Sequence, residues 1–188
     1  MFQQPSKPQL TITISVHNDA RVPAGTLRQA EEEAQEVFEQ AGIAIRWLHC
    51  FPTEPQEARA CAEAVYPQHL QLRIARRPIG LARATMGISD GKGCYADLFY
   101  EQMEELHEKS KVSLASLLGH VAAHETGHEF ARTGREHASG VGSGELASAG
   151  KGALFFSTSE SRQMKERLAM KAGTRNESMQ AAAGPVGD

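Results

Sequence analysis

No stretch of this 188-residue chain approaches the roughly 20 apolar residues that a membrane-crossing helix needs, so no span is expected within it. A basic surplus is missing too. Twenty Lys and Arg stand against 23 Asp and Glu, giving a formal charge of −3 and a pI near 6.2, which lacks the electrostatic footprint of a nucleic-acid binder. Three cysteines are too few for a disulfide-built scaffold, and no internal repeat suggests a solenoid or propeller. Met1-Phe2-Gln3-Gln4-Pro5 has neither a basic n-region nor an apolar core, so no secretory leader is expected in this chain. With 40% hydrophobic and 23% charged residues, what remains is a chain able to bury one good core in one domain.

The most informative residues present are His124-Glu125-Thr126-Gly127-His128. On a helix, two histidines four apart lie roughly 40° apart on one face, one turn apart along the axis, close enough to share a metal ion. Glu125 points to the neighbouring side, where a carboxylate can take a proton from water at the metal without becoming a ligand. Three specified residues arise by chance in about 0.03 of chains of this composition, so the context has to support the motif. It does: Leu114, Leu117, Leu118, Val121 and Ala122 recur at helical spacing upstream, Ser113 can cap the start, and Gly134 offers a stop beyond Phe130.

A catalytic zinc usually takes three protein ligands and leaves a position to water. His137, in the glycine-containing stretch after the helix, is the best third candidate, with Glu136 and Glu145 behind it. His120 lies one turn before His124. A fourth ligand would close the site, so a supporting or core role is expected for it, with a hydrogen bond across to the sheet. His17, His49, His69 and His107 have no comparable spacing and read as surface or strand residues.

Elsewhere the pattern is of alternating strands and one long amphipathic helix. Leu10 to Val16, Ile43 to Leu48, Leu70 to Ala75 and Tyr95 to Phe99 read as strands. Between the first two, a helix buries Leu27, Ala30, Ala34, Val37, Phe38 and Ala41, with Thr26 and Gln29 as a capping box and Gly42 as its stop. Its acidic run, Glu31 to Glu33 with Glu36 and Glu39, is a solvated face. Ser157-Thr158-Ser159-Glu160 caps a last helix reaching about Lys171, and Ala181 to Asp188 reads as a tail.

Leu117 to His128 resembles the active-site helix of a family of bacterial proteins identified from sequence as zinc metalloproteases, related to metzincins and archaemetzincins. The likeness extends to Thr11–Asn18 with Val22-Pro23, to the Thr26-Leu27 helix, and to Ala41–Ile43 through Trp47–Cys50. It continues over Leu70–Arg77, Tyr95–Tyr100 and Phe156–Leu168. It implies a single α+β, zincin-like domain over residues 9–172, of metzincin type, with a mixed twisted sheet, a backing helix and an HExxH active-site helix. Residues 1–8 and 173–188 would be flexible termini. The same resemblance implies Zn2+ held by His124, His128 and His137, with Glu125 as catalytic base. Two departures stand out. His137 follows His128 by nine residues where metzincins use six, and Gly140-Val141-Gly142 replaces the family's glycine-isoleucine-methionine segment beneath the metal.

The family is largely secreted and carries cysteines near Cys50 and Cys61. This implies an exported protein with its leader absent from this chain, a Cys50–Cys61 disulfide and Cys94 outside it. Three reduced thiols in a cytoplasmic protein are the alternative. Zincin-like sites align peptide along a sheet edge, and Gly91 to Asp97 is the expected edge, unless it is an ordinary hairpin. The resulting expectation is a zinc-dependent metallopeptidase acting on a peptide or protein substrate, with Tyr95 or Tyr100 as candidate helpers at the oxyanion. The alternatives are a catalytically silent zinc-binding module and a metal-dependent hydrolase of another class, such as a ribonuclease, against which the acidic balance argues.

Overall fold

The computed structural model describes residues 10–50, 55–62, 67–77, 80, 85–89, 94–130 and 156–169. In chain order they form β1 (Leu10–His17), α1 (Ala24–Gln40), β2 (Ile43–His49), α2 (Pro55–Ala62), β3 (His69–Ala75), β4 (Gly87–Ser89), β5 (Tyr95–Phe99), α3 (Tyr100–Ser110) and α4 (Leu114–Phe130). A further helix, α5, covers 158–169. No helix among the described residues is long and apolar enough to cross a membrane.

The strands pair in the order β2-β1-β3-β5-β4, with β4 antiparallel to β5 and every other pairing parallel. Parallel neighbours require crossovers, and α1 supplies the one between β1 and β2. Alternation along each strand then sorts the two faces. Val16, Leu72, Ile74 and Leu98 point to one side, around a small void shared with Leu27 of α1 and Leu118 of α4. The architecture is α+β, with a mixed sheet whose apolar face is covered by α1 and α4.

The opposite face is polar. Arg73 grips Asp97 through Nε and Nη2, at 2.7 and 2.8 Å from the two carboxylate oxygens, and the Tyr95 hydroxyl donates to Asp97 at 2.8 Å. Gln71 Nε2 donates to the carbonyl of Cys61 at 3.1 Å, and a Cys50–Cys61 disulfide with Cα atoms 5.9 Å apart fastens α2 to the end of β2. Cys94 is half-buried and not part of this bridge.

Three expectations are corrected. Thr26 and Gln29 make no capping box: α1 begins at Ala24 behind Pro23, with no side-chain cap, and the Leu27 amide donates to the Pro23 carbonyl at 2.9 Å. The reason lies upstream. Asn18 brackets Val22, accepting from its amide at 2.8 Å and donating to its carbonyl at 3.0 Å, so the chain is already turned into the helix before Thr26. Gly42 does end the turn, at φ 75°. Second, the described strand residues of the segment expected as the sheet edge, Tyr95 to Asp97, are not the edge. Tyr95–Phe99 pairs on both sides, and the three-residue β4 is the outer strand; 90–93 lie outside the described residues. Third, α2 and α3 occupy stretches the sequence pattern left unassigned.

Candidate metal centre

Helix α4 runs through the interior, and its burial is the key to the site. Of its 17 residues only Leu114, Ser116, His120, His124 and His128 are not buried. Ser116, His120, His124 and His128 recur every four residues, so they form one stripe on the single open side of an otherwise enclosed helix. Ser113 starts it, its hydroxyl accepting from the Ser116 amide at 3.4 Å.

At the C-terminal end of that stripe the two Nε2 atoms of His124 and His128 face each other at 2.7 Å, the rings edge-to-face with centroids 4.3 Å apart. Burial, and then the neighbouring His128, push His124 down to about 4, while burial likewise lowers His128. Both imidazoles are therefore neutral near pH 7, the form in which histidine donates to a metal. Two nitrogens on a tetrahedral zinc at about 2.0–2.1 Å each would be about 3.3 Å apart, so the pair fits after a small opening of the rings. Among the described residues no group of three His, Cys, Asp or Glu side chains could hold a metal ion. His137, Glu136, Glu145 and the Gly140–Gly142 segment lie outside the described residues.

The flanks of the stripe differ. On one side Glu125, fully buried, packs against edge strand β4: a Cβ at Gly87 would lie 2.7 Å from Glu125 Cγ and 2.9 Å from Oε1. On the other side Phe156 covers Gly127, where a Cβ would lie 3.0 Å from the ring Cζ, and meets Phe38 of α1 edge-on at 5.0 Å. That contact brings the start of α5 beside the histidines. Glu160 raises the pKa of both, opposing their burial, while its carboxylate accepts from the Ser157 amide at 2.7 Å. The Ser157 hydroxyl accepts in return from the Glu160 amide at 3.2 Å, so the expected capping box is present here.

Other candidates are placed elsewhere. His120 does not reach the sheet; it faces α1, with Nε2 3.9 Å from Glu33 Oε2, because the sheet side of α4 is filled by Leu118, Val121 and Ala122. Tyr95 lies on the sheet's polar face, bonded to Asp97, and Tyr100 is buried in the core, so neither joins the histidines. Sequence patterning did not single out Gly87 or Phe156 as neighbours of the motif. A lone glycine in a three-residue strand and an aromatic ring before a helix carry no periodic signal.

No family model matches the chain, and no curated protein is similar to it. Among solved structures it resembles a zinc-dependent peptidase from Methanocorpusculum labreanum (strain Z), with a TM-score of 0.55 at 19% identity. The alignment covers 80% of this chain and 99% of the other. The two proteins share a fold. At that identity the likeness carries the architecture, and the chemistry has to be argued from the side chains.

Proposed function

We propose that this protein is a zinc-dependent metallopeptidase in which His124, His128 and His137 hold the metal and Glu125 is the general base. The observation that carries the reading is the facing pair of neutral imidazoles at 2.7 Å on the one open stripe of α4, with a carboxylate beside the first. The shared fold with a zinc-dependent peptidase supports it. A bound zinc supplies Lewis acidity, lowering the pKa of water and polarising a peptide carbonyl. Glu125 accepts the proton as water attacks and returns it to the leaving amine. Its burial keeps competing solvent from the carboxylate. His124 and His128 stand on a helix whose other residues are mostly buried, so the pair needs only a small opening of the rings to share the metal.

Elemental analysis of the purified protein should give about one zinc per chain, weakened in His137→Ala. Glu125→Gln should keep the metal and lower peptide hydrolysis by about 100- to 10,000-fold. Retained hydrolysis by the pure mutant would remove the base from Glu125.

One observation favours a second reading, a zinc-binding module without turnover: Glu125 has no exposed surface and packs on β4. Full zinc occupancy with no cleavage across a peptide library would select that reading.

A further inference from the structure

Helix α4 approaches edge strand β4 closely at Gly87. A Cβ there would meet Glu125 Cγ at 2.7 Å, Val121 Cγ1 at 2.8 Å and Glu125 Oε1 at 2.9 Å. These distances are well inside ordinary carbon contact, so any side chain at 87 must move the glutamate, the valine or the strand. The strand is poorly placed to move. β4 is three residues long, and its register against β5 sets Gly87 opposite Leu98, a residue with no exposed surface. Val121 is also fully buried, held within the core behind Glu125. Glu125, with its several side-chain torsions, is the neighbour best able to give way, by swinging its carboxylate away from β4.

We propose that Gly87 is a positioning residue for Glu125: the missing side chain in the edge strand is the slot that fixes the carboxylate beside the His124–His128 pair. This rests on the metallopeptidase reading for its consequence, though not for its geometry. The glycine is not needed for its backbone freedom, because positive φ among described glycines occurs only at Gly42 and Gly80. Its role is the absence of volume. A methyl at 87 leaves the histidine stripe untouched, since that stripe faces a different side of α4, and displaces the carboxylate by about the radius of a methyl group. A displacement of that order costs about 100-fold when a reacting group must sit within hydrogen-bond reach.

The test uses Gly87→Ala in the full chain with three readouts: zinc content, thermal stability, and kcat and KM on a peptide that the parent protein cleaves. Zinc content should be unchanged, and kcat should fall by about 10- to 100-fold with KM little altered. The fall in Tm caused by Gly87→Ala should be smaller when it is made in a Glu125→Ala background, because two of the three colliding atoms are then gone and only Val121 Cγ1 remains. If Gly87→Ala does not fold, Gly87→Ala/Val121→Ala removes the valine contact and leaves the collision with Glu125 to be read. Unchanged kcat in a folded, zinc-loaded variant would overturn the proposal. If the parent cleaves no peptide, the metallopeptidase reading fails by itself. The double-mutant comparison then decides the positioning claim: equal Tm losses in both backgrounds overturn it.

Discussion

At the scale of single residues, burial decides more than identity does. His124 and His128 were legible from spacing, because an i, i+4 pair must share a helix face whatever surrounds it. That the same face is the open one was not legible: Leu114 to Phe130 is apolar or small nearly all round, and only the packed neighbours show which stripe is left uncovered. Asp97 teaches the same lesson on the other side of the sheet. It is buried and bears a bidentate Arg73, which sequence spacing does not connect to it, and the hydroxyl of Tyr95, two residues away on the same strand face. Burial first, then the hydrogen bond and charge of Asp97, raise Tyr95 to about 12. A folded-state pKa above the unfolded value of about 10 adds stability that is complete below pH 10 and lost as pH rises toward 12. Asp97→Asn should therefore lower the phenol pKa in an absorbance titration and flatten the loss of stability across that window. Near neutral pH it should cost about 1–2 kcal/mol in urea unfolding, since Arg73 is partly exposed and its pairing is screened.

At the scale of elements, α4 is held by contacts that only glycine permits. At Gly119 a Cβ would lie 2.5 Å from the Ala30 carbonyl oxygen and 2.7 Å from Glu33 Cβ, so α1 and α4 touch there backbone to backbone. At Gly127 the obstacle is the Phe156 ring, which can tilt. Gly119→Ala should thus destabilise by about 3 kcal/mol or more and exceed Gly127→Ala, at about 1–2 kcal/mol, in parallel denaturant titrations. Helix α5 depends on its capping box, and Ser157→Ala should cost about 1 kcal/mol, with earlier amide exchange over 158–163 as the local sign. The four strands read from alternation and the two long helices are all present. β4 escaped because three residues cannot display a period of two. α3 escaped because Tyr100–Ser110 is dominated by charge, with only Tyr100 and Met103 buried. The two capping signals had different outcomes: Ser157 and Glu160 exchange the reciprocal bonds of a capping box, whereas Asn18 had already turned the chain ahead of Thr26.

At the scale of the whole molecule, one apolar layer joins α1, α4 and the sheet, while α2 on the polar face is secured by the Cys50–Cys61 bridge. That bridge spans 11 positions, and on the loop-entropy account its reduction should lower stability by about 2–3 kcal/mol, read as a shift in denaturation midpoint with and without reductant. The loss should leave the α1–α4 face folded, because the disulfide lies on the other side of the sheet. The sequence by itself determined what local periodicity can encode: the strands, the two long helices, the shared face of His124 and His128, and the placing of Glu125 to one side of it. Only the tertiary structure decided which face of α4 stays open, that β4 lies outside Tyr95–Asp97 in the sheet, and that Gly87 and Phe156 flank the motif. The reason is physical. Periodicity acts through neighbours a few residues away, whereas exposure and close approach depend on which elements pack together, and those contacts join residues far apart in the chain, such as Gly87 with Glu125.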